Sequence, residues 1–267
     1  MKYRLSLIQC NTGGKDAKEK VRRAVSEASM NGTKVVLLPE MWNCPYSNGS
    51  FHKYAEPEDG ESVGFMKELA KAHSLYIIGG SIPERSEGKV YNTAFIFDPA
   101  GDIIGKHRKA HLFDIDIKGG IRFMESETLT PGNDICVVNT EYGKIGVAIC
   151  YDVRFPGMFK EMRKRGAELI VLPAAFNMTT GPAHWDILIK ARALDNQIYF
   201  AACSPARNVN SAYTAYGHSC VINPWGEFCA AADANESIIY ADIDTDFIEK
   251  TRHQVPILTQ ERPELFD

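Results

Sequence analysis

Strand-length apolar runs recur along the whole chain and alternate with helical segments, with no linker, repeat or low-complexity stretch between them. Tyr3 to Cys10, Val35 to Pro39 and Leu75 to Gly80 carry the strand pattern, and Lys15 to Met30 and Ser62 to His73 the helical one. Such winding lays helices over a largely parallel sheet. The rhythm then changes. Val90 to Asp98 and Asp102 to His107 flank the turn Pro99, Ala100, Gly101, while Asp134 to Thr140 and Lys144 to Cys150 flank Glu141, Tyr142, Gly143, which predicts two β-hairpins. Winding resumes with helix Gly157 to Arg165, strand Leu169 to Pro173, helix Ala183 to Asn196 and strand Tyr199 to Ser204. A last hairpin turns around Asn223, Pro224, Trp225 and Gly226. An α/β fold of mixed sheets with helices on their outer faces follows. Met41 to Gly60 and Ala110 to Gly132 lack periodicity, and loops of that length inside a compact domain are usually functional.

With 267 residues, 45% hydrophobic and 24% charged, the chain can bury one large core, so residues 1–267 are expected to form a single domain. A net charge of −4 without a lysine or arginine run argues against nucleic acid or an anionic membrane as partner and leaves a small molecule or a protein. MKYRLSLIQC reads as a first strand, not a signal peptide, and no apolar run approaches the length of a bilayer. A cytoplasmic location is expected, with no evident presequence and a mitochondrial one left open. The seven cysteines, Cys10, Cys44, Cys136, Cys150, Cys203, Cys220 and Cys229, are scattered and never form a CxxC pair, so neither a disulfide framework nor a zinc site is encoded.

Three chemically pointed residues close strand-like runs. Cys150 ends KIGVAIC, Glu40 ends VVLLPE, and Lys109 lies just past the run from Asp102. In open α/β sheets ligands gather beyond the carboxyl ends of strands, so a thiol, a carboxylate and an ammonium can meet in one pocket. A carboxylate in an apolar site, its proton affinity raised, can take the thiol proton, and a fixed cation with a backbone N–H can hold the oxyanion that forms when the sulfur adds to an amide. Taken singly, each residue has an ordinary reading: a strand-end Cys is a small buried hydrophobe, and a Glu or Lys is solvated surface.

LLPEMW (Leu37 to Trp42), KHRKAHLFDID (Lys106 to Asp116) and GVAICYDVRFP (Gly146 to Pro156) occur in that order and together resemble the nitrilase superfamily of carbon–nitrogen hydrolases. The likeness runs from IQC near residue 10 to NPWGE at Asn223 to Glu227. It implies Glu40, Lys109 and Cys150 as the catalytic residues, no cofactor, and a four-layer αββα sandwich, usually paired as a homodimer. It also implies a second glutamate ahead of the nucleophile strand, which MES places at Glu125, fit to hydrogen-bond Lys109 or the attacking groups. AAFNMTTGPAHW (Ala174 to Trp185), HLFDIDIKGGIRFMES (His111 to Ser126) and SPARN (Ser204 to Asn208) narrow the likeness to the omega-amidase branch. That branch hydrolyses the terminal amide of α-keto acid monoamides such as 2-oxoglutaramate and 2-oxosuccinamate.

A carboxylate-bearing substrate calls for a planar bidentate donor, and Arg154, four residues past Cys150, is placed for it. Pairing of Arg154 with Asp152 within the turn is the competing structural reading, and the family likeness favours substrate. Phe176 and Thr180 match substrate-lining positions of the family, and a backbone amide near Tyr151 is the expected second oxyanion donor. His107 and His111 have the spacing of metal ligands on a helix, yet the segment reads as strand end and loop with no third ligand, so no metal is expected. Gly79 with Gly80 and Gly119 with Gly120 read as turns, His184 and Trp185 as packing near the pocket rim, and no GxSxG elbow supports a serine nucleophile. The alternatives are another amidase of the superfamily, acting on deaminated glutathione or N-carbamoyl compounds, or a catalytically silent binding or scaffold member.

Overall fold

The computed structural model describes residues 1–14, 16–118 and 121–265. Lys15, the first residue of the first predicted helix, and the predicted turn at Gly119 and Gly120 lie outside the described residues. The first part of the chain runs β1 (Lys2–Gln9), α1 (Ala17–Met30), β2 (Val35–Leu37), α2 (Asn48–Tyr54), α3 (Glu61–His73), β3 (Tyr76–Ile78), β4 (Ile82–Ser86), β5 (Lys89–Phe97) and β6 (Ile103–Arg108). A small hairpin follows, β7 (Asp114–Asp116) with β8 (Arg122–Met124). The second part runs β9 (Cys136–Thr140), β10 (Gly143–Val147), α4 (Pro156–Lys164), β11 (Leu169–Pro173), α5 (Gly181–Asn196), β12 (Tyr199–Cys203), β13 (Cys220–Ile222) and β14 (Phe228–Ala231). The chain then returns to the first sheet as β15 (Ser237–Asp244) and ends in α6 (Thr245–Gln254).

β1, β2 and β3 are parallel neighbours in a seven-stranded sheet, with β15 antiparallel on β1 and with β5 antiparallel to β3, β4 and β6. β10, β11 and β12 are the parallel centre of a six-stranded sheet flanked by antiparallel β9, β13 and β14. The period of two along each strand then sorts the side chains by layer. Leu5, Leu7, Val35, Leu37, Ala94 and Ile96 share one core with Val138, Ile145, Val147, Leu169 and Val171 of the second sheet. Their alternates Ile8, Val36, Leu38, Phe95 and Phe97 pack instead with Val21 and Val25 of α1 and Val63, Met66 and Leu69 of α3. Phe159 and Met162 of α4 and Ile189 and Ala193 of α5 join the core on the second sheet. The order is helices, sheet, sheet, helices: the αββα sandwich that the family likeness implied. Truncating one of the fully buried leucines to Ala would cost about 2–5 kcal/mol, so this frame is stiff enough to fix what its strand ends carry.

The structure corrects the sequence reading in particular places. Met41 to Gly60 is not irregular throughout but contains α2, whose N-cap Ser47 accepts a hydrogen bond from the Ser50 amide. Ala110 to Gly132 contains the β7–β8 hairpin, and β4, β15 and α6 are further elements that the apolar pattern did not separate. Among the described residues no helix is long and apolar enough to cross a membrane.

Candidate active site

Glu40 lies just beyond β2, where the backbone leaves the sheet through a left-handed residue, Met41, at φ 50°. Ser81, between β3 and β4, fastens this bend: its Oγ accepts from the Met41 amide at 3.0 Å, its carbonyl accepts from the Trp42 amide and its amide donates to the Pro39 carbonyl. Gly80, itself at φ 61°, permits the approach, because a Cβ there would stand 2.2 Å from the Pro39 carbonyl oxygen. Lys109 follows β6 and is anchored by its amide on the Asn92 carbonyl at 2.8 Å. Its Nζ, fully buried, donates to Glu40 Oε1 at 3.0 Å and to Glu125 Oε1 at 2.9 Å. Asn92 Nδ2 also donates to Glu40 Oε1, at 2.8 Å, and the Tyr46 hydroxyl sits 2.8 Å from Glu125 Oε1 and 3.3 Å from Glu40 Oε1. Glu125 Oε2 accepts from the Phe113 amide at 2.7 Å.

One ammonium thus serves two buried carboxylates. Burial alone would strip the Lys109 proton, but Glu125 and Glu40 override it and raise its proton affinity, so it stays cationic. Burial raises the Glu40 carboxyl against the opposing pull of Lys109, with Glu125 adding to the rise. Glu40 Oε2 is buried and has no hydrogen-bond partner among the described residues, an open acceptor on a carboxylate primed to take a proton.

The nucleophile side departs from the sequence reading. The apolar run KIGVAIC does not continue as a strand to Cys150: β10 stops at Val147, and after one further amide bond, Ala148 to Val171, the chain turns. Cys150 itself is left-handed, at φ 44°, and opens a 3₁₀ turn over Cys150–Arg154. A non-glycine residue in this region costs on the order of 1–2 kcal/mol, and the turn lifts the thiol out of the sheet. Cys150 is 4% exposed. Its thiol is pushed well above the ordinary cysteine range by burial and then by Glu40, with Lys109 and the Ala175 amide opposing. The resting group is a thiol, not a thiolate, and must be deprotonated as it attacks.

The structure therefore brings Glu40, Lys109, Glu125 and Cys150 into mutual electrostatic contact, the first three from the seven-stranded sheet and the hairpin region, the last from the six-stranded sheet. Arg154 does not pair with Asp152, whose carboxylate is taken by His107, His111 and the Ile149 amide. Its guanidinium lies 5.3 Å from the ring centres of both Tyr151 and Phe176, with Nη2 3.2 Å from His184 Nδ1, and among the described residues no carboxylate pairs with it. Phe176 is buried against Trp185, and Thr180 stands just ahead of α5 without capping it, its hydroxyl and amide both donating to Asn177 Oδ1. His184 is exposed beside Arg154, whereas Trp185 is core, its Nε1 donating to the His218 carbonyl. Sequence reasoning passed over Tyr46, Asn92 and Tyr213. The Tyr213 ring lies 4.4 Å from that of Tyr46 and its hydroxyl donates to the Ala175 carbonyl. Only aromatic residues inside unperiodic segments marked these tyrosines.

A family model described as carbon-nitrogen hydrolase matches residues 4–253. A protein named nitrilase homolog 2 from Dictyostelium discoideum is 51% identical over 95% of this chain and 79% of its own length. A protein named omega-amidase NIT2 from Danio rerio is 49% identical over 99% of this chain and 96% of its own length. Among solved structures, Saccharomyces cerevisiae Nit3, described as a member of branch 10 of the nitrilase superfamily, superposes with a TM-score of 0.89 at 41% identity, covering 96% of this chain and 94% of that one. A buried Glu–Lys–Glu cluster beside a strained cysteine, on a sandwich of this topology and with this extent of likeness, makes the chain a member of the carbon–nitrogen hydrolase family, the nitrilase superfamily.

Proposed function

We propose that this hydrolase is an omega-amidase, releasing ammonia from the terminal amide of α-keto acid monoamides such as 2-oxoglutaramate and 2-oxosuccinamate. Glu40 takes the Cys150 proton as the sulfur bonds to the amide carbon. Lys109 and the Tyr151 amide hold the oxygen that gains the charge, each such donor being worth roughly 3 kcal/mol in comparable sites. Glu40 passes the proton to the leaving nitrogen, the C–N bond breaks and ammonia departs, leaving a thioester. Water then gives its proton to Glu40 and its hydroxide to the carbonyl carbon, the C–S bond breaks, and the proton returns to sulfur. Glu125 keeps Lys109 cationic and in place.

The observation that carries the substrate class is Arg154, a half-buried guanidinium laid over Tyr151 and Phe176 without a carboxylate partner among the described residues. An anionic substrate group would complete it, while a neutral amide would leave it unpaired. Relatives named omega-amidase at about half identity support the same reading. In an ammonia-release assay, Arg154→Lys is expected to lower kcat/KM for 2-oxoglutaramate roughly thirtyfold or more, since a point charge cannot replace the planar fork. A neutral amide of similar length should lose little. Equal losses on both substrates would assign Arg154 to the turn and remove the argument for a carboxylate-bearing substrate.

A further inference from the structure

Asp152 is a fully buried carboxylate that takes no part in the chemistry above. Its Oδ2 accepts from His107 Nε2 at 3.0 Å and from the Ile149 amide at 3.0 Å; its Oδ1 accepts from the His111 amide at 2.9 Å and from His111 Nδ1 at 2.8 Å. The four donors have a pattern in the chain. His107 and His111 lie two residues before and two residues after Lys109, while Ile149 and Asp152 itself bracket Cys150. One side chain therefore ties the segment that carries the cation to the turn that carries the sulfur, across the gap between the two sheets.

We propose that Asp152, acting through His107 and His111, is a positioning residue that fixes the Cys150 sulfur relative to the Lys109 ammonium. The inference rests on the reading of Cys150 as nucleophile and of Lys109 as oxyanion donor. Three features favour it over a merely stabilising role. The His107 ring is fully buried and Asp152 is its only side-chain partner, Nδ1 having none among the described residues, so this contact alone sets the ring's polar orientation. His111 is stacked on Phe155 at 3.6 Å with a 10° interplanar angle, which locks the second arm of the clamp onto the same turn. The left-handed Cys150 is held on both sides, since Asp152, itself two residues beyond it, accepts from the Ile149 amide just before it. A buried ion of this kind adds little net stability over an apolar replacement, whereas a misplacement of about 1 Å at a reacting atom can cost roughly a hundredfold in rate.

The test uses a pair of substitutions at His107, which touches neither substrate nor sulfur. His107→Leu removes the donor, and His107→Gln keeps an N–H at a similar reach. In steady-state amide hydrolysis by the full chain, with folding checked by circular dichroism, His107→Leu is expected to lose roughly tenfold to a hundredfold in kcat with KM within about twofold. His107→Gln should recover most of that loss. Asp152→Asn, which puts a donor among donors, should fall at least as far as His107→Leu. A folded His107→Leu with wild-type kcat, or Leu and Gln variants impaired equally and in step with their lost thermal stability, overturns the proposal. Cys150→Ala in the same assay separates the two levels: turnover by that variant removes the nucleophile reading, whereas a dead Cys150→Ala beside a fully active His107→Leu removes only the clamp.

Discussion

The two bends that present the base and the nucleophile use the same backbone device and are fastened by different chemistry. Met41, next to Glu40, and Cys150 are both left-handed, at φ 50° and φ 44°. The bend at Glu40 is held by a neutral side chain, Ser81, that follows β3 in the same sheet as β2. The bend at Cys150 is held by an anion, Asp152, which accepts from the Ile149 amide of its own turn and from His107 and His111, in β6 of the other sheet and the loop beyond it. Neighbouring strands already fix the distance across one sheet, so a hydroxyl suffices to aim a side chain there. Two stacked sheets have no hydrogen-bond ladder between them, and a multi-acceptor group such as the Asp152 carboxylate ties the two sides by several bonds at once.

The comparison breaks most severely if Glu40 is not the base. Glu40→Gln preserves shape and the acceptor for Lys109 but cannot take the raised Cys150 proton, so kcat/KM is expected to fall roughly 10³–10⁴-fold with the fold retained. A loss under tenfold would transfer the base role to another group. The next test is pH. Glu40 works only when ionised, and burial raises its proton affinity against the pull of Lys109, so kcat/KM should decline, roughly tenfold per pH unit, below an apparent value above the usual glutamate figure of about 4.3. Asp152 is shifted the opposite way: burial would raise it, but the hydrogen bonds from His107 and His111 hold it well below the ordinary carboxylate range. A folded-state value below the unfolded one contributes stability that is fully present above about pH 3.9 and is lost progressively as pH falls from there through the lower value. Between the two, activity should vanish reversibly while circular dichroism is unchanged, and inactivation that coincides with unfolding would erase the distinction. The smallest effect is expected from Ser81→Ala, about 1–3 kcal/mol of stability for the unpaired Met41 amide and less than tenfold in kcat. If Ser81→Ala slows catalysis as much as Asp152→Asn, the two fastenings are equivalent.

What the sequence disclosed follows from what period and punctuation can encode. Strand Leu169–Pro173 was legible residue for residue because an unbroken apolar run stands between helical segments. The three motif-bearing ends were legible as chemistry, and the structure does gather Glu40 and Glu125 within hydrogen-bonding distance of Lys109. The left-handed turn at Cys150 was not: no glycine or asparagine marks it, and KIGVAIC reads as uninterrupted strand. α6 buries only Ile248 and Thr251, too little for an apolar stripe, and α2 is short with Phe51 as its one buried side chain. The spacing of His107 and His111 was visible as a pair without a third ligand, but their common acceptor lies more than forty positions on, a relation that only tertiary contact creates. Tyr46 and Tyr213 were hidden for the same reason.

The pairing of β15 with β1 carries a consequence for biosynthesis. Register runs from Lys2 opposite Asp244 to Gln9 opposite Ser237, so the neighbour of the first strand leaves the ribosome more than two hundred residues after it. Until then β1, with Leu5 and Leu7 facing the future core, is an open edge with unsatisfied amides and carbonyls. The nascent chain therefore carries an adhesive strand until residues 237–244 have been made, and a stop ahead of residue 237 is expected to release a product prone to edge-to-edge aggregation instead of a smaller folded protein.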